Sequence, residues 1–537
     1  MHQAKRKQFC LWPVLLLGAS VFPNCASVNA QVTTAQYGNA RLGSTLVETV
    51  LTPANVNSET FAKLFTLPVD GDVYAQPLYL PQLEIPGKGK RDVLFVATEH
   101  DSIYAFDAGA NPPAVLWQTN FLDHDKGVIT VPPSDLSCPF IRPEVGITPT
   151  PVIDQSTGTM YVLARTKERK EYVQRLHALA VTTGRERPGS PIVIQATFDR
   201  AAQDGTRTTV AFDPLRQNAR AALLLAADKV YLTWASSCDV APYHGWVMAY
   251  DARTLKQVAV LNTSIDAGES GIWQGDAGPA ADEMGNVYVV TGNGKFDADS
   301  GGHDYGDSVL KLAVEVGSFA IKDYFTPFNQ HELNEKDLDL GSSGPVLLPD
   351  QGGPHPHLLL TAGKGEGIYV LDRDQLGKYR SANNGHAFQT IPSVSDCFGA
   401  PAYWNGHVYY ACEDDSLKDF RVQGGRVAPE SVAHTEIKFT GVGATPSISA
   451  NAAKDGIVWI IATPNFFTKD APAVLHAYDA TNIAHELYNS EQKPTRDRAG
   501  TAIRFLMPTV ANGCVYVGLK KEVDVYGLLP KSSVAQN

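Results

Sequence analysis

Two loops in the middle of the chain concentrate polar side chains that could bind a metal ion or carry out acid–base chemistry. The stretch KFDADSGGHDYGDS, residues 295–308, is a glycine-rich turn that carries three aspartates before Asp307 and one histidine, His303. Carboxylate oxygens at this density can bind Ca²⁺, although a solvated acidic loop is the simpler interpretation. The stretch SSCDVAPYHGW, residues 236–246, joins Cys238, Asp239 and His244. Neither loop has zinc-ligand spacing, and the sequence contains no Gly-x-Ser-x-Gly nucleophile elbow or P-loop.

The N-terminus has the order of features that is typical of secretory signal peptides. Positive charges at residues 5–7 precede an apolar run from Phe9 to Phe22 and the small-residue ending Val28-Asn29-Ala30, which predicts a signal peptide over residues 1–30. The run is shorter than the roughly 20 residues of a membrane-spanning helix. No later stretch is apolar enough to span a bilayer, so the mature protein is predicted to lie in the periplasm or outside the cell.

Five cysteines follow the predicted cleavage point: Cys138, Cys238, Cys397, Cys412 and Cys514. Some are expected to pair in an oxidising compartment. We predict a disulfide between Cys397 and Cys412, because they should fall on neighbouring strands of one sheet. The odd count leaves at least one thiol free, and the absence of C-x-x-C-H excludes an attached c-type haem.

The polar loops lie within a three-strand unit that recurs along the chain. It is clearest in DVLFVATEHDSIYAFDA, residues 92–108, and in HPHLLLTAGKGEGIYVLD, residues 355–372. Each unit opens on a strand that follows a small residue and usually a proline, and its second strand has an aromatic or aliphatic residue near the middle. The openings lie at Pro77, Pro151, Leu224, Pro279, Pro345, Pro401, Pro446 and Pro508, and the second strands centre on Phe95, Tyr161, Tyr231, Tyr288, Leu359, Tyr409, Trp459 and Tyr516.

Eight such copies, about 60 residues apart, predict an all-β, eight-bladed β-propeller with four-stranded antiparallel blades. A single blade cannot cover both of its faces, so blades must pack on each other until the ring closes. The unpaired strand Phe61–Leu67 is predicted to close the ring by joining the last blade near Tyr516 and Val525. A string of β-sandwiches is the alternative, but no linker-like composition divides the units. The predicted organisation is a signal peptide (1–30), a loosely packed N-terminal arm (31–59), the propeller (60–529) and a C-terminal tail (530–537).

In these repeats the chain resembles the quinoprotein alcohol dehydrogenases, the family of methanol and polyvinyl-alcohol dehydrogenases that bind pyrroloquinoline quinone (PQQ) at the axis of an eight-bladed propeller. The repeat match covers most of the mature chain, and the match at site residues is limited to the middle blades. The stretch ANVNSETFAKLF, residues 54–65, also resembles the first strand of the family.

The resemblance implies a set of site residues. In residues 271–294, Trp273 corresponds to the tryptophan under the quinone and Asn293 to a calcium ligand. In residues 337–348, Asp339 corresponds to the catalytic aspartate, which would also lie at the metal. In residues 362–373, Lys364 corresponds to the basic residue at the quinone oxygens. A Ca²⁺ ion would polarise the quinone, and Asp339 would accept the alcohol proton.

Each of these residues also has a structural interpretation. Trp273 could pack between blades, Asn293 lies between two glycines and suits a turn, Asp339 could cap a loop, and Lys364 could be a solvated hairpin residue. The four together, in the family's order, favour the functional interpretation.

The sequence also departs from the family pattern near the predicted cofactor. The family often has adjacent cysteines and an Asn-Arg pair over the quinone, whereas SCPFIRPEVG, residues 137–146, has only Cys138 with Arg142 nearby. Arg142 is therefore the candidate cofactor contact of this stretch. Tyr74 stands where the family has a quinone-contacting glutamate, and Glu168 and Glu171 only flank the position of a calcium-binding glutamate.

The overall charge limits the partners. The charged fraction is 19% and the formal net charge is −12, which argues against a nucleic-acid partner, since that would require basic patches. The sequence leaves three hypotheses open: a PQQ-dependent enzyme that oxidises a small alcohol, a non-catalytic propeller that binds an envelope protein, and a hydrolase or lyase acting on polysaccharide.

Overall fold

Eight antiparallel sheets follow one another along the chain and form the blades of a β-propeller. The computed structural model describes residues 30–201, 207–365, 367–392, 394–464 and 471–530. Most of the predicted signal peptide, residues 1–29, and all but the first residue of the predicted tail lie outside the described residues. No helix in these ranges combines the length and the hydropathy that crossing a membrane requires.

The first four blades are built from strands in chain order, from the axis outward. Blade one has Leu78–Ile85, Gly89–Ala97, Ser102–Asp107 and Ala114–Asn120; blade two has Val152–Asp154, Thr159–Glu168, Glu171–Ala180 and Ile192–Val193; blade three has Leu224–Ala226, Lys229–Ser236, Trp246–Asp251 and Gln257–Asn262; blade four has Ala280–Ala281, Val287–Val290, Val309–Glu315 and Ser318–Thr326.

Blades five to seven repeat this order, and blade eight takes its outermost strand from the start of the chain. Blade five has Val346–Leu347, Leu358–Ala362, Ile368–Asp372 and Gln389–Ile391; blade six has Ala402–Trp404, His407–Tyr410, Asp415–Gln423 and Ala433–Phe439; blade seven has Ser447–Asn451, Lys454–Ala462, Val474–Asp479 and Glu486–Asn489; blade eight has Thr509–Ala511, Cys514–Leu519, Glu522–Leu528 and Phe61–Pro68.

Short elements decorate the ring. A separate hairpin, Thr197–Ala201 with Arg207–Ala211, lies between blades two and three, and the short strands Ser44–Thr45, Val128–Thr130, Gln217–Asn218, Lys378–Tyr379 and Arg426–Val427 extend individual blades. The helices are short: Pro133–Leu136, Gln330–Glu335 and Pro494–Asp497 are α-helical, and Ala35–Tyr37, His124–Lys126, Ala298–Ser300 and Leu340–Ser342 are 3₁₀.

The blade positions agree with the sequence pattern because the repeated residues occupy equivalent structural positions in the blades. Seven of the eight predicted openings are prolines that directly precede an innermost strand, where the missing N–H is not needed by a ladder. The residues at the centre of the second strands are buried between blades; Tyr161 of blade two, for example, belongs to one hydrophobic cluster with Trp234 and Trp246 of blade three. The predicted eight-bladed propeller is thus confirmed.

The ring closes through strand pairing between the two parts of the chain. Phe61–Pro68 runs antiparallel to Glu522–Leu528, with Phe61 opposite Leu528 and Pro68 opposite Glu522. The predicted closing strand is confirmed. Pairing at this point covers the edge of Glu522–Leu528, which would otherwise be free.

The N-terminal residues before this strand do not form a loosely packed arm, and that prediction is wrong for the axial segment, Ala30–Glu48. The segment passes round the inside of the ring and hydrogen-bonds the innermost strand of every blade, at Tyr79, Ile153, Leu225, Ala281, Leu347, Tyr403, Ile448 and Val510. Its Arg41 side chain is fully buried and donates to Pro279 O, Thr34 Oγ1, Ala35 O and Leu223 O. Polar composition suggested exposure, but the polar groups of this segment are satisfied by the inner strands.

Candidate functional site

A cavity of about 140 Å³ lies at the end of the ring where the innermost strands begin. Its walls come from the loops that precede the inner strands of blades two to six and eight, and from the loops between the second and third strands of blades three and five. Trp273, Asp339 and Lys364 all line it. Three residues that the sequence predicted as a site therefore meet at the axis, although they come from two different blades.

The Asp339 carboxylate is held by donors on both of its oxygens. Lys364 Nζ donates to Oδ2 at 2.6 Å, and the backbone N–H of Asn293 donates to Oδ1 at 2.8 Å. The backbone N–H of Lys364 also donates to Asp339 O, at 3.1 Å. A Cβ atom at Gly292 would lie 2.2 Å from Asp339 Oδ1 and 3.0 Å from Trp273 Cδ1. The glycine before Asn293 thus permits the close approach of the loops of blades four and five.

Burial is the largest influence on the pKa values of Asp339, Lys364 and Asp239. It raises the pKa of the Asp339 carboxyl, and the ammonium of Lys364 opposes that rise. Burial alone would lower the pKa of Lys364, but the negative charges of Asp339 and Asp337 raise it, so the lysine stays charged. Asp239 lines the same cavity, and its pKa is also raised, first by burial and then by Asp339.

The two remaining predicted site residues, Asn293 and Arg142, do not line the cavity. Asn293 is next to the cavity: its Nδ2 donates to Asp337 Oδ1 at 2.7 Å, while its buried Oδ1 has no hydrogen-bond partner among the described residues. Arg142 is exposed, and its Nε donates to Pro139 O at 2.5 Å. It is not among the residues that line the cavity, so the fold does not bring Arg142 to the other four.

Other residues of the cavity were missed by the sequence analysis. Arg220 and Arg504 supply positive charge, and Phe398 and Phe505 supply aromatic walls. The sequence did contain a signal for the two phenylalanines. Phe398 and Phe505 each lie three residues before an opening proline, Pro401 and Pro508 respectively. These two phenylalanines therefore share one position in the repeat.

The described residues contain two disulfides, one of them at the cavity. The predicted Cys397–Cys412 bond is confirmed, with its cysteines just before and just after the first two strands of blade six. A second bond joins Cys138 to Cys238, and Cys238 lines the cavity together with Trp273. Cys514 is the free cysteine among the described residues. The Cys138–Cys238 bond ties the loop before blade two to blade three beside the candidate site.

The acidic loop forms a separate cluster. Carboxylate oxygens of Asp266, Asp297 and Asp304 lie within 4.8 Å of one another. Lys295 Nζ lies 2.8 Å from Asp297 Oδ2 and 3.6 Å from Asp304 Oδ2. A lysine of the same loop thus already supplies a positive charge to this cluster.

No family model and no curated protein matches this chain. Among solved structures, it is similar to the quinohemoprotein alcohol dehydrogenase ADHIIG from Pseudomonas putida HK5, with a TM-score of 0.57, 13% identity, and coverage of 93% of this chain and 80% of that chain.

Two further structures have the same kind of likeness. The quinohemoprotein alcohol dehydrogenase from Comamonas testosteroni has a TM-score of 0.56 and 14% identity, over 93% of this chain and 80% of that chain. BamB from Moraxella catarrhalis has a TM-score of 0.49 and 12% identity, over 87% of this chain and 97% of that chain. At such identities the likeness concerns the fold alone, and the two quinohemoprotein alcohol dehydrogenases share this fold over 93% of the chain.

Proposed function

We propose that this protein is an exported oxidoreductase of the quinoprotein type, which binds PQQ in the axial cavity and oxidises a small alcohol. The observation that carries the proposal is the meeting of Trp273, Asp339 and Lys364 in one cavity at the ring axis. They supply a flat aromatic wall, a carboxylate that can act as a general base and a positive charge, as the resemblance to the quinoproteins implies. The two disulfides of the described chain support export, because such bonds form in oxidising compartments.

The residues of the cavity fit PQQ in their chemistry. Trp273, Phe398 and Phe505 offer ring faces for a flat aromatic group, and Lys364 and Arg220 offer positive charge for its oxygens and carboxylates. Bound there, PQQ would supply a two-electron acceptor for the hydrogen on the alcohol carbon. A three-ring quinone is larger than the 140 Å³ cavity, so its binding requires side chains at the mouth to move apart, as they commonly do on binding.

Asp339 is the residue that would accept the alcohol proton. Its Oδ2 already has a donor in Lys364 Nζ, and its raised pKa brings the carboxyl closer to the range in which a general base exchanges a proton. Lys364 keeps the carboxylate in place and stabilises its charged form. The lysine thus keeps Asp339 able to take a proton at neutral pH despite its burial.

Calcium does not fit the donor set at Asp339. Ca²⁺ takes six to eight oxygen ligands, whereas both Asp339 oxygens already accept hydrogen bonds. Beside them, Asn293 Oδ1 is a buried oxygen that has no hydrogen-bond partner among the described residues. Among the described residues, the three-carboxylate cluster with metal-like spacing is the one at Asp266, away from this cavity. We therefore derive no step through calcium, and the positive charge at this point comes from Lys364.

The proposal is tested by adding PQQ to the purified protein, with and without Ca²⁺, and measuring bound quinone absorbance together with alcohol-dependent dye reduction. We expect binding at micromolar PQQ in both conditions. Asp339→Asn should keep PQQ binding but lower turnover about 10²- to 10⁴-fold, the usual contribution of a general base. Asp299→Asn, which changes an exposed aspartate of the acidic loop, should leave both unchanged. Failure to bind PQQ under either condition would contradict the proposal.

A second candidate function is a non-catalytic propeller that binds an envelope protein. The observation that favours it is the donor set at Asp339, which does not suit the calcium site expected from the sequence. A protein that binds no PQQ, yet is folded with both disulfides formed, would support this alternative.

A further inference from the structure

Two arginines lie side by side at one end of the axial cavity, each against an aromatic ring. The Cζ atom of Arg220 is 3.4 Å from the centre of the Phe505 ring. The Cζ atom of Arg504 is 4.1 Å from the centre of the Phe140 ring and 5.3 Å from that of Phe505. Both arginines line the cavity, so two positive charges meet within an aromatic surround.

The charge of Arg220 is not balanced by an ion pair. Its Nε donates to Gly275 O at 2.9 Å, and no carboxylate of the described residues lies within ion-pair distance of it. Burial, and then the neighbouring Arg504, lower the pKa of Arg220 to about 9, while Tyr74, Asp276 and Glu99 act on it only as weaker, more distant charges. Burying a charge without a partner is costly.

The third cationic side chain of the cavity, Lys364, is already paired. Lys364 Nζ donates to Asp339 Oδ2 at 2.6 Å and lies 3.3 Å from Asp337 Oδ1. An anionic group that enters the cavity can therefore pair with the guanidinium of Arg220, which has no ion-pair partner. The ammonium of Lys364 is already paired with carboxylates. A guanidinium can donate two parallel hydrogen bonds to a carboxylate.

We infer that the Arg220 end of the cavity binds the carboxylate of a planar aromatic acid, whose ring lies against the aromatic walls of the cavity. The walls select a flat ring, and the arginines select a negative charge in its plane. The inference rests on the proposed function in taking this cavity as the ligand site, but it does not require the ligand to be a quinone.

Quinoline-2-carboxylate and its neutral amide are the probes, with PQQ as the larger acid, and binding is measured by isothermal titration calorimetry. Wild-type protein should bind the acid at least tenfold more tightly than the amide, and added salt should reduce that preference. Arg220→Met should remove the preference, and Arg220→Lys should keep part of it. Arg380→Met, which removes an exposed arginine, should change nothing. The unfolding temperature of each variant shows that it is folded.

The outcomes separate this inference from the proposed function. Equal binding of acid and amide by wild type, no binding of either acid, or unchanged acid binding in Arg220→Met would each overturn the inference. If the quinoline acid binds through Arg220 but PQQ is neither bound nor reduced, the inference stands and the proposed function fails. If PQQ binds and is reduced equally well in wild type and Arg220→Met, the proposed function stands and the inference is wrong.

Discussion

At the scale of single residues, the carboxyl group of Glu99 is one whose ionisation is opposed by burial. Glu99 is fully buried in blade one, where its Oε2 accepts the backbone N–H of Gly146 at 2.7 Å and its Oε1 has no hydrogen-bond partner among the described residues. Burial raises the pKa of Glu99 from 4.5 to about 8. At neutral pH this side chain is therefore held mainly as the neutral acid.

Replacing this acid should change how stability depends on pH. The folded state keeps a proton that the unfolded chain releases above about pH 4.5, so the contribution of Glu99 to stability is fully present below that pH and is lost as pH rises through about 8. Glu99→Gln removes this loss. Relative to wild type, we expect the variant to gain about 2–4 kcal/mol in unfolding free energy between about pH 5 and pH 9.

Denaturant unfolding at a series of pH values measures this difference. Glu84→Gln, which changes an exposed glutamate, is the matched control and should follow the wild-type curve. Parallel curves for wild type and Glu99→Gln would show that Glu99 has the same pKa in the folded and unfolded states.

At the scale of elements, the axial segment determines how the inner strands are held together. Its residues hydrogen-bond to the first strand of each blade, so its path must fit the space that the eight inner strands enclose. Gly43 shows how little room there is: its φ is +66°, and a Cβ there would lie 2.9 Å from Ala402 Cβ and 3.2 Å from Ala402 Cα. Both the backbone conformation and the space require glycine at this position.

Gly43→Ala should therefore destabilise the protein by about 2–4 kcal/mol, from the left-handed backbone and from overpacking against blade six. The segment offers its own control, because a Cβ at Gly38 meets nothing within 4 Å and the φ of Gly38 is extended. Gly38→Ala should stay within about 0.5 kcal/mol of wild type. Equal stabilities of the two variants in denaturant unfolding would contradict the packing of this segment.

At the scale of the whole molecule, one strand joins the beginning of the chain to its end. Phe61 in that strand is fully buried, and its ring centre lies 5.4 Å from Trp459, 5.0 Å from Tyr488 and 6.3 Å from Tyr526. It therefore connects the outer strand of blade eight to the face of blade seven. The closure of the ring depends on this aromatic contact as well as on the strand pairing.

Phe61→Ala should cost about 3–5 kcal/mol of unfolding free energy, as expected for a buried phenylalanine. Because the two strands protect each other, amide hydrogen exchange should become faster in Phe61–Pro68 and in Glu522–Leu528 together. Phe328→Ala, at a phenylalanine that is 39% exposed, should cost much less and leave this exchange unchanged. Faster exchange in only one of the two strands would argue against closure through their pairing.

The sequence by itself determined the features that depend on local pattern. Alternating apolar strands repeat in every blade, and seven of the eight blades open on a proline, so eight blades could be counted without coordinates. Phe61–Leu67 had no partner nearby, which left ring closure as its role, and the Cys397–Cys412 pair spans only 15 residues. Trp273, Asp339 and Lys364 lie in three stretches that resemble the quinoprotein family in the family's order, which is why the resemblance predicted them as one group.

Only the tertiary structure decided which side chains face each other across the axis. Arg220, Phe505 and the Cys138–Cys238 bond meet there from distant parts of the chain, and no local pattern specifies such contacts. The axial segment is polar and turn-rich, yet it is buried because the inner strands satisfy its hydrogen bonds. The arrangement of charges in the cavity likewise depends on distances between blades, and those distances exist only once the ring has closed.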